Sequence, residues 1–381
     1  MLSHLPYIAI SAFDIMALAA VIGALATGLW IIPEGARESF HRRLWRLTGL
    51  SLGALTVSTI VLLIGRTLEM SRQSVRHVGH WLPLVVRETS FGHIWMVRPA
   101  MLLVAWAAWF IARRPARHRA AYGALLAAAV IAFTRSATGH PADQGQWTAP
   151  EWVDFVHLMA ASIWAGGLFA MTVAIFPFLS KARLSTPVRL ALVQRLSSIA
   201  AMALAGILIT GVLSAYHYLG GFRPLFHSTY GHILLVKLAF VAVAIALGAA
   251  NRFLFVPRIR AAEPAPRTVA TPAPAHEADE RAFSHLARSV AIETGFLGAA
   301  LVAAAVLLHG MPPREMEHAM GGTMARVSEP MGRLEFARFK DQRPVRPMPA
   351  ISTIRYGVLR RSASEMNGTG TPRPPFNQIA L

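Results

Sequence analysis

The chain has 381 residues, of which 54% are hydrophobic and only 15% are charged, and its formal net charge at neutral pH is +18. A soluble domain carries about a quarter charged residues, so this composition excludes an ordinary soluble protein and predicts an all-α, polytopic membrane protein. The positive charge does not indicate nucleic-acid binding, because the arginines concentrate in short connections and in the C-terminal tail, where they set topology and meet anionic lipid. The chain has no cysteine, so histidine and methionine are the available ligands for a soft metal ion.

Apolar segments long enough to cross a hydrocarbon core of ~30 Å recur along the chain. The sequence predicts about eight such spans, at residues 8–32, 44–65, 92–112, 120–138, 152–179, 192–219, 231–255 and 287–309. Arginine is abundant in the connections after the first, third, fifth and seventh spans. This pattern predicts that these connections are cytoplasmic and that both termini are periplasmic. No internal repeat is evident in the sequence.

Three regions follow from this pattern. Residues 1–90 are predicted to hold two membrane spans and an outer loop. Residues 91–313 are predicted to form a six-span membrane domain, interrupted by a cytoplasmic linker rich in proline and alanine at 261–284. Residues 314–381 have no sustained hydrophobic period and are predicted to be a disordered periplasmic tail.

Most histidines fall outside the membrane or near the outer ends of the spans, although the orientation rests on arginine and lysine alone. Imidazole is a frequent ligand for transition metals, so this asymmetry predicts a metal site near the periplasmic face. The candidate ligands are His93, His140, His157, His217, His232, His309 and Met159. In the tail, Met316, His318 and Met320 combine thioether and imidazole, which suits capture of Cu(I).

His157 is the sharpest of these candidates because it lies inside the fifth span, about one to one and a half turns from its outer end. Polar groups at such a depth are costly and usually face a bundle interior or a water-filled cavity. Trp164, seven residues later, lies on the same helix face and is a candidate cover for the site. The alternative, a histidine that is hydrogen-bonded to a neighbouring helix beside a packing tryptophan, stays open.

Four further ionisable residues fall inside the predicted spans. Asp14, Arg98 and Lys237 each lie about seven residues from the outer face, so they are candidates to neutralise one another at one depth. Glu293 lies near the inner face, at a depth close to that of Asn251 and Arg252, so Arg252 is a candidate partner for it. A structural role for these intramembrane charge pairs is favoured, and a proton or ion relay stays open.

Five blocks of the sequence carry a further indication. They are 138-TGHPADQGQWTAPEWVDFVHLMAASIWAGGL-168, 194-QRLSSIAAMALAGILITGVLSAYHYL-219, 230-YGHILLVKLAFVAVAIALGAANRFLFVP-257, 286-LARSVAIETGFLGAALVAAAVLLHGMPP-313 and, more weakly, 91-FGHIWMVRPA-100. Together they cover most of residues 90–313, and they resemble the copper resistance protein D (CopD) family of bacterial inner-membrane proteins.

The resemblance implies a membrane protein that moves copper ions across the inner membrane, in uptake or in export and tolerance. It implies a His/Met site near the periplasmic face, with His140, His217 and His232 near His157, and a separate periplasmic copper-binding partner of the CopC type. The chain has no phosphate-binding loop and no sizeable cytoplasmic domain, so neither nucleotide use nor enzymatic activity is expected.

Two alternatives stay open. One is a haem-binding membrane cytochrome, in which histidines of facing helices would hold the iron. The other is a scaffold that delivers copper to another protein without transporting it.

Overall fold

The regular structure is helical throughout the residues that the computed structural model describes, which are 5–71, 75–138, 147–179, 184–257, 273–310 and 312–314. All of these residues belong to one compact unit. The helices are α1 (Leu5–Ala26), α2 (Glu34–Ser71), α3 (Val78–Glu88), α4 (Ser90–Trp95), α5 (Val97–Ile111), α6 (Ala121–Ser136), α7 (Ala149–Ala170), α8 (Thr186–Leu219), α9 (Arg223–His227), α10 (Thr229–Ala250) and α11 (Ala273–Leu307). Short 3-10 and π-helical turns join or extend them.

Seven helical runs in the described residues are long and apolar enough to cross a membrane. They correspond to all the predicted spans except the fourth, which is the 16-residue helix α6. The prediction of an all-α membrane protein with about eight spans is therefore confirmed. Helices satisfy every backbone polar group internally, which is why hydropathy alone identifies them so well.

Two helices begin ten or more residues before their predicted bounds. The second was predicted to begin at residue 44, but α2 begins at Glu34 because Phe40 and Leu44 continue its buried stripe while the other faces carry arginine. The last helix begins at Ala273, inside the segment predicted to be a linker.

Helix α1 lies at the centre of the bundle. Every residue from Ala17 to Ala26 is buried. Gly23 of α1 lies so close to Gly166 of α7 that a Cβ on either glycine would overlap the backbone of the other helix. Small residues permit such close approach between membrane helices, so α1 and α7 form the central pair on which the other helices pack.

The order of helices occurs twice, in a first half (residues 5–136) and a second half (residues 149–307). In each half the central helix, α1 or α7, ends in a π-helical turn followed by an Ile-x-Pro sequence and packs against a long helix, α2 or α8. Each half closes with a packed pair, α5 with α6 and α10 with α11. Each central helix also contacts the last helix of both halves. This arrangement is the one expected for two halves related by a two-fold axis.

A short motif marks equivalent positions in the two halves. It reads TSFGHI before α5 and STYGHI at the start of α10. Thr89 accepts a hydrogen bond from the amide of Gly92, and Ser228 accepts one from Gly231, both at 2.9 Å. Each of these hydroxyls also donates to the carbonyl four residues earlier, at 2.6 Å in both halves. The helix order and these hydrogen bonds therefore indicate a structural repeat that was not evident in the sequence.

The same motif fixes the register between the halves. His93 and His232 each bond through Nε2 to the carbonyl six residues earlier, at 2.8 and 2.9 Å. Five residues after each histidine lies a cation, Arg98 in α5 and Lys237 in α10. The two cations are therefore equivalent, and their surroundings can be compared directly.

Candidate metal site at the upper face

We call the end of the bundle where α1, α5, α7 and α10 begin the upper face; it is the end predicted to face the periplasm. In the first half, the polar side chains near this upper face form an ionic cluster around Asp14. The buried Asp14 carboxylate accepts hydrogen bonds from Arg135 at 2.6 Å, from Ser58 at 2.7 Å and from Arg98 at 3.4 Å. The fully buried Arg98 also donates to Thr134 at 3.1 Å. Both oxygens of Asp14 accept hydrogen bonds, so this ionic cluster stabilises the packing of α1 against its neighbouring helices.

The second half places Lys237 in a different setting. The sequence put Lys237 at the depth of Asp14 and Arg98, but it lies within electrostatic range of Asp154, on the central helix α7. The Asp154 carboxylate accepts a hydrogen bond from Ser136 of α6 at 2.6 Å. The carboxylate of the second half therefore lies within electrostatic range of two cations, Arg135 and Lys237, and no direct ion pair with either is seen among the described residues.

His157 lies one turn below Asp154, on the face of α7 that packs against α8. Its Nδ1 is 2.9 Å from the hydroxyl oxygen of Thr210. That hydroxyl donates its own hydrogen to the carbonyl of Gly206 at 2.6 Å, so it can only accept from the ring. The network therefore assigns the proton of the neutral imidazole to Nδ1 and leaves the lone pair on Nε2. A histidine that binds a metal through one nitrogen usually donates from the other in this manner.

Two predicted ligands are engaged with the backbone at the start of their helices. His93 and His232 are exposed, and each bonds to a carbonyl of the turn that precedes its own helix. Their equivalence in the repeat gives both a structural role at the N-terminus of a membrane helix.

Two others are engaged close to their own positions. His309 bonds through Nδ1 to the carbonyl of Ala305 at 2.8 Å, and its ring lies edge-on to Tyr7. The ring of His217 lies edge-on to Tyr218. Among the residues that the structure describes, no three His, Asp or Glu side chains gather into a group that could hold a metal ion. The structure thus does not bring the predicted histidines together at one point.

Four predicted ligands lie outside the described residues and stay predictions. They are His140, Met316, His318 and Met320. Met159 is among the described residues. It lines an apolar cavity of about 570 Å³ between α7, α8 and the π-helical turn after α1, together with Met202 and Trp30. The role of Met159 as a ligand also stays a prediction.

Trp164 lies two turns below His157, and its buried ring is engaged with α11. Its Nε1 donates to Glu293 at 3.2 Å, and the other carboxylate oxygen of Glu293 accepts from Asn251 at 3.0 Å. Glu293 therefore stands at a separate depth from the Asp154 region. Its pairing with a cation, which the sequence suggested, is not seen among the described residues.

Sequence analysis did not single out Asp154, Thr210, Arg135 or Ser136. Asp154 carried a usable signal, because it precedes His157 by three residues and so shares its helix face. The others carried none: a single hydroxyl in an apolar helix normally bonds its own backbone, and Arg135 lies in the last turn of α6, where a basic residue is common.

Two family models match the chain. The model described as "Copper resistance protein D-like, N-terminal domain" matches residues 1–149, and the model described as "Copper resistance protein D" matches residues 190–307. The first match covers the first half of the repeat, and the second covers most of the second half.

Curated relatives agree with these matches. The chain is 29% identical over 236 residues to "Copper transport protein CutJ" of Bacillus subtilis (strain 168), which covers 58% of this chain and 41% of that protein. It is 27% identical over 258 residues to "Inner membrane protein YebZ" of Escherichia coli (strain K12), covering 67% and 86%. It is 26% identical over 246 residues to "Copper resistance protein D" of Pseudomonas syringae pv. tomato, covering 62% and 78%. The match thus spans about two fifths of the Bacillus protein. No solved structure gives a significant match.

Proposed function

The chain belongs to the copper resistance protein D family of multi-pass bacterial inner-membrane proteins, and from this premise we propose that it moves copper ions across that membrane through a site centred on His157. The names of two relatives support copper as the cargo, since one is a copper transport protein and another a copper resistance protein. Neither is named as an enzyme, which agrees with a carrier rather than a catalyst.

The observation that carries the assignment is the hydrogen bond between His157 and Thr210. It holds the imidazole in one orientation and leaves the Nε2 lone pair available to a metal ion. Asp154, one turn above, adds a carboxylate on the same helix face. Imidazole with carboxylate is a donor set that divalent transition metals accept, and imidazole also binds Cu(I).

Lys237 fits this assignment because it is a positive charge of the protein itself near the proposed copper site. It lies close enough to both Asp154 and His157 to interact electrostatically with them. When no copper is present, its ammonium and the guanidinium of Arg135 together offset the charge of the buried carboxylate. An entering metal ion competes with that ammonium, so the lysine lowers the affinity of the site and favours release, as a carrier requires.

Movement in either direction is compatible with this site. A single positive charge moving inward gains about 2.3 kcal/mol per 100 mV of membrane potential, so uptake needs no further energy source. Export needs coupling to another gradient, because the sequence has no phosphate-binding loop.

The first experiment measures bound copper and the absorbance spectrum of the full chain purified in detergent. We expect the wild-type protein to retain copper and His157→Ala to lose it. His227→Ala is the matched control, because His227 is exposed near the same face and bonds only to the carbonyl of Arg223 in its own turn. Equal copper in wild type and His157→Ala would sink the assignment.

The same spectrum tests the haem-binding alternative. A bound haem gives an intense Soret band, whereas Cu(I) bound by nitrogen and oxygen ligands gives no visible band. The names of the relatives mention copper and not haem, so we expect no Soret band.

The scaffold alternative needs a second measurement. Full-length protein in liposomes would be loaded with copper on one side, and the copper that appears on the other side would be measured over time. Transport that is lost in His157→Ala but kept in His227→Ala supports the carrier. Binding without transport supports delivery to another protein.

A periplasmic copper-binding partner of the CopC type and anionic lipid stay predictions for the assembly. Lipid contact is supported by the exposed arginines Arg113, Arg114, Arg117 and Arg119 at the lower ends of α5 and α6.

A further inference from the structure

Glu293 of α11 is a buried carboxylate held only by neutral groups. Only 3% of the residue is exposed. Its Oε1 accepts from the indole N–H of Trp164 at 3.2 Å, and its Oε2 accepts from the amide of Asn251 at 3.0 Å. A buried charge without a counter-ion is costly, and a carboxyl group in this position is stabilised by taking up a proton.

The helices around Glu293 supply no cation among the described residues. The neighbouring Arg252 of the π-helical turn after α10 donates instead to Ser197. Asp14 lies near the upper face, and below it helix α1 has no ionisable residue. On α11 itself the nearest ionisable side chain is the exposed Arg288. Neutralisation by a proton is therefore the remaining route.

Asn251 is suited to either protonation state of Glu293. With its N–H group toward the carboxylate it donates to the charged form, and its own Oδ1 is then buried without a hydrogen-bond partner among the described residues. If the amide turns over, Oδ1 accepts from the protonated Oε2, because the two ends of an amide have nearly the same shape. One side chain thus pairs with the carboxylate before proton uptake and with the acid after it.

The repeat shows that packing does not require this polar group. In the register set by the histidine motifs, Ala112 occupies the position of Asn251, at the end of α5. Helix α6, the counterpart of α11, contains no acidic residue. The first half therefore has no buried carboxylate at this level of the same helix pair, so the cost of the buried carboxylate in the second half indicates a function.

The backbone near Glu293 also departs from the regular α-helix. Asn251 is the first residue of a π-helical turn, and another covers Met171–Ile175, two turns beyond Trp164. The second turn is tied to α11 by a contact of 3.2 Å between the hydroxyls of Thr172 and Thr294. Such π-helical turns are frequent at functional sites, and these two flank the carboxylate on both sides.

We propose that Glu293 is a proton-binding site, with Trp164 and Asn251 as its positioning residues, which takes up and releases one proton as copper moves. Proton uptake converts the carboxylate to the carboxylic acid and changes no other bond. Its link to transport rests on the proposed function, whereas the proton site itself does not. The site lies about 10 Å below His157 along α7, given a rise of 1.5 Å per residue, so the proton and the copper ion occupy separate places in the second half.

The first test is infrared difference spectroscopy of the purified full chain between acidic and alkaline pH. We expect a carbonyl band of a buried carboxylic acid in the wild-type protein, its loss in Glu293→Gln and a shifted band in Glu293→Asp. Glu69→Gln is the control, because it removes an exposed carboxylate paired with Arg66, and it keeps the band. A band that persists in Glu293→Gln, or none in the wild type, would overturn the proposal.

The second test records the pH inside liposomes while copper moves. We expect copper-dependent proton movement in the wild type and Glu69→Gln, and none in Glu293→Gln, although the copper bound in detergent stays unchanged. Proton movement in Glu293→Gln equal to that of the wild type would contradict coupling. If no copper moves in the wild type, the proposed function fails, while the infrared band still decides on the proton site.

Discussion

Gly23 of α1 and Gly166 of α7 touch through their backbones at the centre of the bundle. We expect Gly166→Ala to destabilise the protein by about 1–3 kcal/mol, because the added methyl overlaps the carbonyl of Ala19 and must push the two central helices apart. The measurement is the fraction of monodisperse protein that remains in detergent after heating. Gly298→Ala is the matched control, since its methyl would meet nothing within 4 Å, and it should leave stability unchanged or slightly higher.

Removal of the anion in the first-half cluster should be severe. Asp14→Asn leaves Arg98 fully buried without its counter-ion, which we expect to cost about 3–5 kcal/mol. Glu69→Gln breaks an exposed ion pair and should cost only about 0–1 kcal/mol. Both effects would be followed by thermal unfolding in the same detergent. A mild effect of Asp14→Asn would contradict the stabilising role of this ionic cluster.

The orientation of His157 should matter as much as its presence. Thr210→Val removes the acceptor for Nδ1 while keeping the shape, and we expect copper affinity to fall about 10–100-fold. Thr210→Ser keeps the hydroxyl and should bind nearly as the wild type. Competition with a chromogenic copper chelator measures the affinities, and equal values for Val and Ser would show that the hydrogen bond does not orient a ligand.

Lys237 should oppose copper retention. Lys237→Met removes the positive charge near Asp154, so we expect copper to bind at least about tenfold more tightly, which corresponds to ~1.4 kcal/mol, and to leave more slowly. Lys237→Arg keeps the charge and should remain near the wild type. Stopped-flow measurement of copper release into excess chelator gives the release rate of the wild type and of each variant. Weaker copper binding in Lys237→Met would show that the lysine supports folding rather than competes with copper.

The two cap motifs should behave alike. Thr89→Ala and Ser228→Ala each remove a side chain that accepts from the third residue of a helix, and each should cost about 1 kcal/mol. Ser185→Ala is the comparison, because Ser185 precedes α8 without a side-chain cap bond. Thermal unfolding that separates the first two variants strongly would contradict the equivalence of the halves.

The sequence predicted the helices and the depth of the polar groups, but not which helices would face one another. Hydropathy decides the spans because every backbone group in hydrocarbon must be satisfied within the helix. Depth placed Asp14 and Arg98 together, and the structure joins them at 3.4 Å. It could not reveal that Lys237, at a similar depth, lies within electrostatic range of Asp154, since depth carries no information about rotation around the helix axis.

The metal site was predictable in part for a related reason. His157 was singled out because an imidazole inside a span is costly, and the structure gives it an oriented ring. His93 and His232 looked similar in sequence, yet they bond to their own preceding turns. Their shared motif escaped notice because the apolar residues around it are interchangeable, so the sequence similarity between the halves is low even where the hydrogen bonds agree.

The repeat described above also bears on how such a chain arose. Each half contributes four of the predicted membrane spans, an even number, so a second copy fused to the first enters the membrane with the same orientation. Such a repeat is what a half-length ancestor would leave if two copies of it paired about the contact of α1 with α7. The two halves now differ in their polar groups: the first holds Asp14 between two arginines, and the second places Lys237 within electrostatic range of Asp154 and His157. The connection between α6 and α7 then marks the join between the two copies. Two halves that are encoded separately on either side of it should therefore assemble into the complete bundle.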